Sequence, residues 1–307
     1  MKLAIPDLIS PSYFPAVAAI DLGCFEDEGL DVELEMIFPV DKCATALRDG
    51  AIEFFAGSAH SLLAAFPAWQ GAKLLCAQSQ GMYWFLVMRR DIARAPGDLS
   101  VVKGRTIGAA PWVEMGLRRL LAEAGIDIAR DRVTIAPVPG AIAGVPNFGV
   151  MAADALGAGR IDGFWANGMG AELAVRRGVG TVVLDARRAG RPAGMFNYTE
   201  AVVAATAARV ASAPDVAAAA ARAIGRVHAL LRADPARATA VGRKRFPPEE
   251  AALIAELVRR DAVFYDASIT PAFVAGMTGF ARDLGILNGD PAYDAIVATE
   301  LAPLWKV

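Results

Sequence analysis

The chain has 307 residues, a formal net charge of −2, 55% hydrophobic residues and a mean hydropathy of +0.38, enough length for one large or two medium domains with ample core. Lys and Arg are scattered, which leaves no footprint for nucleic acid and no polybasic membrane patch. The most apolar stretch, 136–153, is broken by Pro137, Pro139 and Pro146, which excludes a stable membrane insertion there.

Met1-Lys2 leads directly into a short strand at Leu3 to Leu8, with no cleavable apolar segment before it. The expectation is a cytoplasmic protein if Met1 is the native start, and a periplasmic or lipid-anchored one if a signal segment was removed. A turn over Ile9 to Tyr13 precedes a helix over Phe14 to Leu22, closed by Gly23. The alternating run Val32 to Ile37 reads as a strand, and a helix opens at Pro39-Asp41 and ends at Gly50. A small-residue loop follows, then a predicted helix over Ser61 to Trp69 and strands over Lys73 to Ala77 and Tyr83 to Met88.

The second third restarts in the same way: strand 105–108, loop 109–112, helix 114–124 and strand 133–136. A Pro/Gly loop, helix 150–156 and strands 161–165 and 180–184 complete it. The segment 196–204 carries the chain back. From Ala213 onward the pattern is helical, with Pro214-Asp215, Pro247 to Glu250, Thr270-Pro271 and Asp290-Pro291 as start signals. Strand alternating with helix implies mainly parallel sheets with covered faces. The three cysteines, Cys24, Cys43 and Cys76, are odd in number and lack CxxC spacing, so they read as buried reduced thiols.

An internal repeat organises the chain. Ala46 to Ser61 aligns with Ala155 to Gly170 at an offset of 109 residues, matching Ala46 with Ala155, Leu47 with Leu156 and Gly50 with Gly159. Ile52 with Ile161, Glu53 with Asp162 and Phe55 with Phe164 complete the match. Each copy reads as a helix end, a Gly at the C-cap, a strand and a loop of small residues. A helix starting at such a loop would aim N–H donors at a ligand. Two such units predict lobe 1 over 1–88, lobe 2 over 89–197, and a return to lobe 1 with C-terminal helices over 198–307.

The order of Pro11-Ser12-Tyr13-Phe14-Pro15, Leu22-Gly23-Cys24-Phe25, Glu28-Gly29-Leu30-Asp31-Val32, Ala46-Leu47-x-x-Gly50-x-Ile52-Glu53-Phe54 and Gly104 to Gly108 resembles a known group. It is similar to the type II periplasmic binding fold, and within it to the nitrate/sulfonate/taurine-binding and thiamine-precursor-synthase-like solute-binding proteins. The resemblance spans roughly the first 170 residues. It implies two α/β lobes joined by two crossing strands and closing on a small molecule, with an ABC permease as partner and no cofactor.

Family ligand positions map onto Ser10, Ser12 and Tyr13, onto Ser58, Ala59 and His60, and onto Gln78-Ser79-Gln80. In the second lobe they map onto Ala110-Pro111-Trp112 and onto Asp162 with Asn167. Cys24 stands where an aromatic is common, and the Cys-rich run of the fungal pyrimidine-precursor synthases is absent.

Two function classes follow. The first is a binding protein delivering a small organic solute, aromatic or heteroaromatic and either neutral or anionic, to an ABC importer. The second is a cytoplasmic enzyme on the same fold, a pyrimidine-precursor synthase, decarboxylase or desulfinase, with His60 as acid/base. No Ser/His/Asp, Cys/His or metal-ligand spacing supports chemistry. Tyr13, Tyr83, Trp84, Trp112 and Trp165 would wall the ligand. With no Arg in the mapped loops, a ligand carboxylate would rest on helix N-termini and hydroxyls. As a loop residue, His60 is expected to matter for affinity and little for stability.

Overall fold

In a computed structural model the described residues are 1–139 and 147–306, so the Pro/Gly loop before the second helix of the second repeat lies largely outside them. The chain divides into two compact units, Met1–Gly81 with Asn197–Val307, and Met82–Phe196.

The first unit holds strands β1 (Lys2–Ile5), β2 (Glu33–Met36), β3 (Phe54–Ser58) and β4 (Ala72–Ser79). The second holds β5 (Phe85–Arg89), β6 (Thr106–Ala109), β7 (Thr134–Ala136), β8 (Gly163–Ala166) and β9 (Gly180–Asp185). The last strand, β10 (Ala201–Thr206), returns to the first unit. The sheet orders are β2-β1-β3-β10-β4 and β7-β6-β8-β5-β9. Each strand thus has a counterpart, and β10 and β5 occupy the same place. Each is antiparallel to both neighbours while the other four strands of its sheet run one way. The sequence boundary after residue 88 shifts to Gly81/Met82, because β5 pairs with β8 and β9 and so belongs to the second sheet.

The repeat is structural. Gly50 and Gly159 take left-handed φ of 72° and 68°, which L side chains resist. The residue after each closes the helix end, Ala51 N–H to Ala46 O and Arg160 N–H to Ala155 O, both at 2.9 Å. The matched acids play the same structural part. Glu53 Oε2 accepts the Lys2 N–H at 2.5 Å, and Asp162 Oδ2 accepts the Thr106 N–H at 2.9 Å. Their own N–H groups bond back to Lys2 O and Thr106 O. The carboxylate of each copy thus ties the start of its strand to the start of the neighbouring one.

The helices of the first half are α1 (Phe14–Asp21), α2 (Cys24–Asp27) and α3 (Val40–Arg48) in the first unit. Those of the second unit are α4 (Glu114–Glu123), α5 (Phe148–Gly157) and α6 (Gly168–Arg176). The helix expected over 61–69 is instead two 3-10 turns, Ala59–Ala64 and Pro67–Trp69. Pro67 lacks the N–H a continuing helix needs, and Ala68 and Trp69 turn to positive φ of 54° and 63°. In the second unit α6 goes beyond the sequence expectation. It packs so tightly on α5 that a Cβ on Gly170 would lie 2.4 Å from Gly149 O.

After β10 come α7 (Ala207–Ser212), α8 (Pro214–Ala233), α9 (Arg237–Arg245), α10 (Pro248–Asp261), α11 (Pro271–Asp283) and α12 (Tyr293–Ile296). This layer belongs to the first unit, where α8 packs on α1, α2 and β4. Its buried stripe includes Ala217, Ala220, Ala221, Ile224, Val227 and Leu231, a spacing that presents one apolar face. The last start signal, Asp290-Pro291, yields only four residues of helix from Tyr293. No helix among the described residues is long and apolar enough to cross a membrane.

Candidate functional site

In open α/β sheets the carboxyl ends of parallel strands gather loops and leave backbone groups for ligands. In the first unit this edge collects Asp7 and Ser10 to Tyr13 after β1, Ser58 to Ser61 at the end of β3, Ser79 and Gln80 at the end of β4, and Thr199-Glu200 entering β10. Asp7, Ser10, Ser12, Tyr13, Ser58, His60, Ser61, Ser79, Thr199 and Glu200 are all buried. Ser10 Oγ and Ser12 Oγ share a 3.0 Å hydrogen bond, and Asp7 Oδ1 accepts the Ile9 N–H at 3.1 Å. Burial drives the Tyr13 phenol well above the usual tyrosine range, with the Asp7 charge adding to it against a hydrogen bond with Ser58. Tyr13 is therefore a neutral donor or acceptor at physiological pH.

His60 departs from expectation. It is fully buried, with Nδ1 3.0 Å from Thr199 Oγ1 and its ring edge-on to Phe280 at 5.5 Å, so packing in its own unit holds it. Ser58 bonds Ser61, Oγ to Oγ at 3.2 Å, while the buried Ala59 presents its N–H to Glu200 O. Two glutamines are committed elsewhere. Gln78 accepts the Ala16 N–H and donates to Val202 O, bracing α1 against β10. Gln80 Nε2 donates to Ser268 Oγ at 3.0 Å.

In the second unit the same edge carries Ala110 to Trp112 after β6, Asn167 after β8, Tyr83-Trp84 entering β5, and Arg187 after β9. Trp112 is half-buried and holds a φ of +69°, a strained conformation for a bulky residue. Ala110 O starts α4 by accepting the Glu114 N–H at 3.1 Å. Asn167 caps α6: its Oδ1 accepts the Met169 and Gly170 N–H groups, so the side chain, not a ligand, takes these donors. Trp84 and Trp165 are buried edge-to-face at 6.1 Å, and Trp165 Nε1 donates to Val113 O at 3.1 Å. These two belong to the interior of the second unit and not to its open surface.

Asp162 leaves the candidate set. It precedes β8, at the amino edge of the strands, where its carboxylate holds Thr106 and lies 3.8 Å from Arg89 and from Arg105.

Sequence reasoning passed over four residues at these edges: Asp7, Thr199, Glu200 and Arg187. Arg187 is 7% exposed with its guanidinium 4.2 Å from the Tyr83 ring centroid, a cation–π contact. The polar run Asn197-Tyr198-Thr199-Glu200 before an apolar strand was a visible signal for two of them. Nothing local marked Arg187 out from its neighbour Arg188. His228 is structural: Nε2 donates to Gln78 O at 2.7 Å, and burial pulls its pKa down to about 4. Cys24, Cys43 and Cys76 are buried and free. Among the described residues no three His, Cys, Asp or Glu side chains gather to hold a metal.

Two α/β units with matching five-stranded sheets, each antiparallel at the strand that joins it to the rest of the chain, define a periplasmic-binding-protein type II fold with a helical C-terminal layer. The chain belongs to the NMT1/THI5-like family, whose model matches residues 10–238. Among solved structures it is similar to a protein of Bordetella bronchiseptica RB50, with TM-score 0.72 and 21% identity over 96% of this chain and 91% of that one. It is also similar to a putative sulfonate ABC transporter periplasmic sulfonate-binding protein from Methylobacillus flagellatus KT, with TM-score 0.68 and 15% identity over 100% and 94%. A third is the periplasmic nitrate-binding protein of Synechocystis PCC 6803, with TM-score 0.72 and 13% identity over 98% and 86%. No curated protein matches the chain in sequence.

Proposed function

We propose that the chain is a solute-binding protein that captures a small aromatic or heteroaromatic ligand and delivers it to an ABC permease on the periplasmic face of a membrane. The observation that carries this is Trp112. A large aromatic held half-exposed at a left-handed φ, at the carboxyl edge of β6, costs backbone energy that ordinary core packing does not require. Stacking on a flat ligand gives that strain a use. Within the second unit an acidic group on the ligand would meet the Arg187 guanidinium, and within the first unit Ser10, Ser12, Tyr13 and Ser58 offer neutral hydrogen-bond partners at the edge of their own sheet. Ala59 and Gln80 shape the edge of the first unit, and Ala110 and Asn167 that of the second. The sulfonate- and nitrate-binding names of the similar structures agree with a transport role, at identities that carry the fold alone.

The test is a panel of aromatic carboxylates, aromatic sulfonates and pyrimidines, read by thermal shift and tryptophan emission. A true ligand stabilises by about 2.7 kcal/mol at a hundredfold excess over its dissociation constant. Trp112→Ala should abolish most of the emission change and lower affinity at unchanged folding. A ligand that binds tightly and is indifferent to Trp112 would overturn the reading.

A further inference from the structure

Away from the Trp112 edge, the first unit contains a cavity of about 360 Å³ whose walls come from α8, from Ala262, Val263 and Tyr265 to Ser268, and from Trp305 and Lys306. The volume lies in the range of small-molecule sites. Its inner wall is aromatic: Tyr265 and Trp305 are buried, and His228 stacks on Tyr265 at 5.4 Å with 14° between the rings. The polar atoms of two of these rings are occupied inward. Trp305 Nε1 donates to Leu75 O at 2.8 Å and Tyr265 Oη to Pro11 O at 3.2 Å, which leaves ring carbon toward the cavity.

The rim holds Val263, at 79% exposure by far the barest of the large apolar side chains described. Its charged groups are Arg232, Lys306 and Asp266. Arg232 is tethered by a hydrogen bond to Tyr265 O, and neither it nor Lys306 makes an ion pair among the described residues. Asp266 is turned toward its own loop, where Oδ1 accepts the Ser268 N–H at 2.8 Å. His228 is uncharged here, with Nε2 on Gln78 O.

From an apolar ring-lined wall, an uncovered apolar lip and two cations that make no ion pair among the described residues, we propose that this cavity is a second ligand site for a small aromatic carboxylate. The ring would lie against Tyr265 and Trp305 under Val263, with the carboxylate at Arg232 and Lys306. The site is separate from the one around Trp112 and does not depend on it.

The experiment uses the full chain carrying Trp112→Ala, titrated with benzoate and with benzyl alcohol by calorimetry and saturation-transfer NMR. Benzoate should bind saturably and more tightly than the uncharged alcohol. Lys306→Gln should weaken it about two- to five-fold, the effect of one screened ion pair, and Lys306→Arg should restore it. Val263→Asp, which puts a like charge on the lip, should abolish binding while the exposed position keeps the fold intact. Absence of saturable binding, or binding equal in Lys306→Gln and Val263→Asp, overturns the proposal. Failure of the Trp112 site would show instead in the unmodified chain, with benzoate binding here unchanged.

Discussion

Replacing Asp162 by Ala discriminates a strand clamp from a ligand contact. In the structure its Oδ2 accepts the part-buried Thr106 N–H at 2.9 Å, and its side chain is 24% exposed. A hydrogen bond to a charged acceptor contributes about 1.5–3 kcal/mol, and the Thr106 N–H would lose that acceptor, so Asp162→Ala should destabilise by about 2 kcal/mol. The contacts to Arg89 and Arg105 at 3.8 Å are solvent-screened and add little. Asp162→Asn keeps an acceptor oxygen and should cost about half as much or less. The twin, Glu53→Ala, removes a solvent-exposed bond to Lys2 and should cost below about 1 kcal/mol, because water replaces the lost acceptor. The assay is urea unfolding followed by tryptophan emission, with hydrogen exchange at the Thr106 amide as a local readout. Asp162→Ala should speed that exchange and leave ligand affinity intact. Unchanged stability with lost affinity would refute the clamp and return Asp162 to the ligand site.

His60→Ala should lower stability of the ligand-free protein by about 2–4 kcal/mol, since it removes a fully buried ring packed on Phe280 and the bond to Thr199; Thr199→Val should cost less, and a neutral His60→Ala would refute the packing role. His228 binds its proton less readily folded than unfolded, its pKa lying at about 4 against an ordinary 6.5. Between those values the unfolded chain takes up more protons, so stability falls as pH drops from 6.5 to 4, by roughly 3 kcal/mol from this residue. His228→Gln should flatten that slope, measured as urea midpoints across the window. Burial pushes the Cys24 thiol up to about 11 and the Cys43 and Cys76 thiols higher still, so a thiol reagent at pH 8 should label them only after unfolding.

The fold was legible in the sequence because its signals are local. A Gly at a helix C-terminus, an acid three residues later and an apolar strand recur at an offset of 109, and backbone chemistry alone gives each the same shape twice. Local signals also misled. Ser61 to Trp69 has helical composition, yet Pro67 and two positive φ values break it. Of the matched acids, Glu53 and Asp162, the resemblance set Asp162 beside Asn167 at the ligand. Their shared purpose appeared only once Lys2 and Thr106 stood across from them on neighbouring strands.

Which residues face a ligand was a tertiary decision. Burial and partnering depend on groups far along the chain: His60 is held by Thr199 and Phe280, Gln80 by Ser268, and Arg187 by the ring of Tyr83. The sequence determined that small residues and hydroxyls lie at the ends of β1 and β3. Only packing decided which of those side chains are taken up by the fold, as His60 is by Thr199 and Phe280, and only the tertiary structure shows Trp112 half-buried on a left-handed backbone. A hydrogen bond formed across more than a hundred residues leaves no local pattern to read.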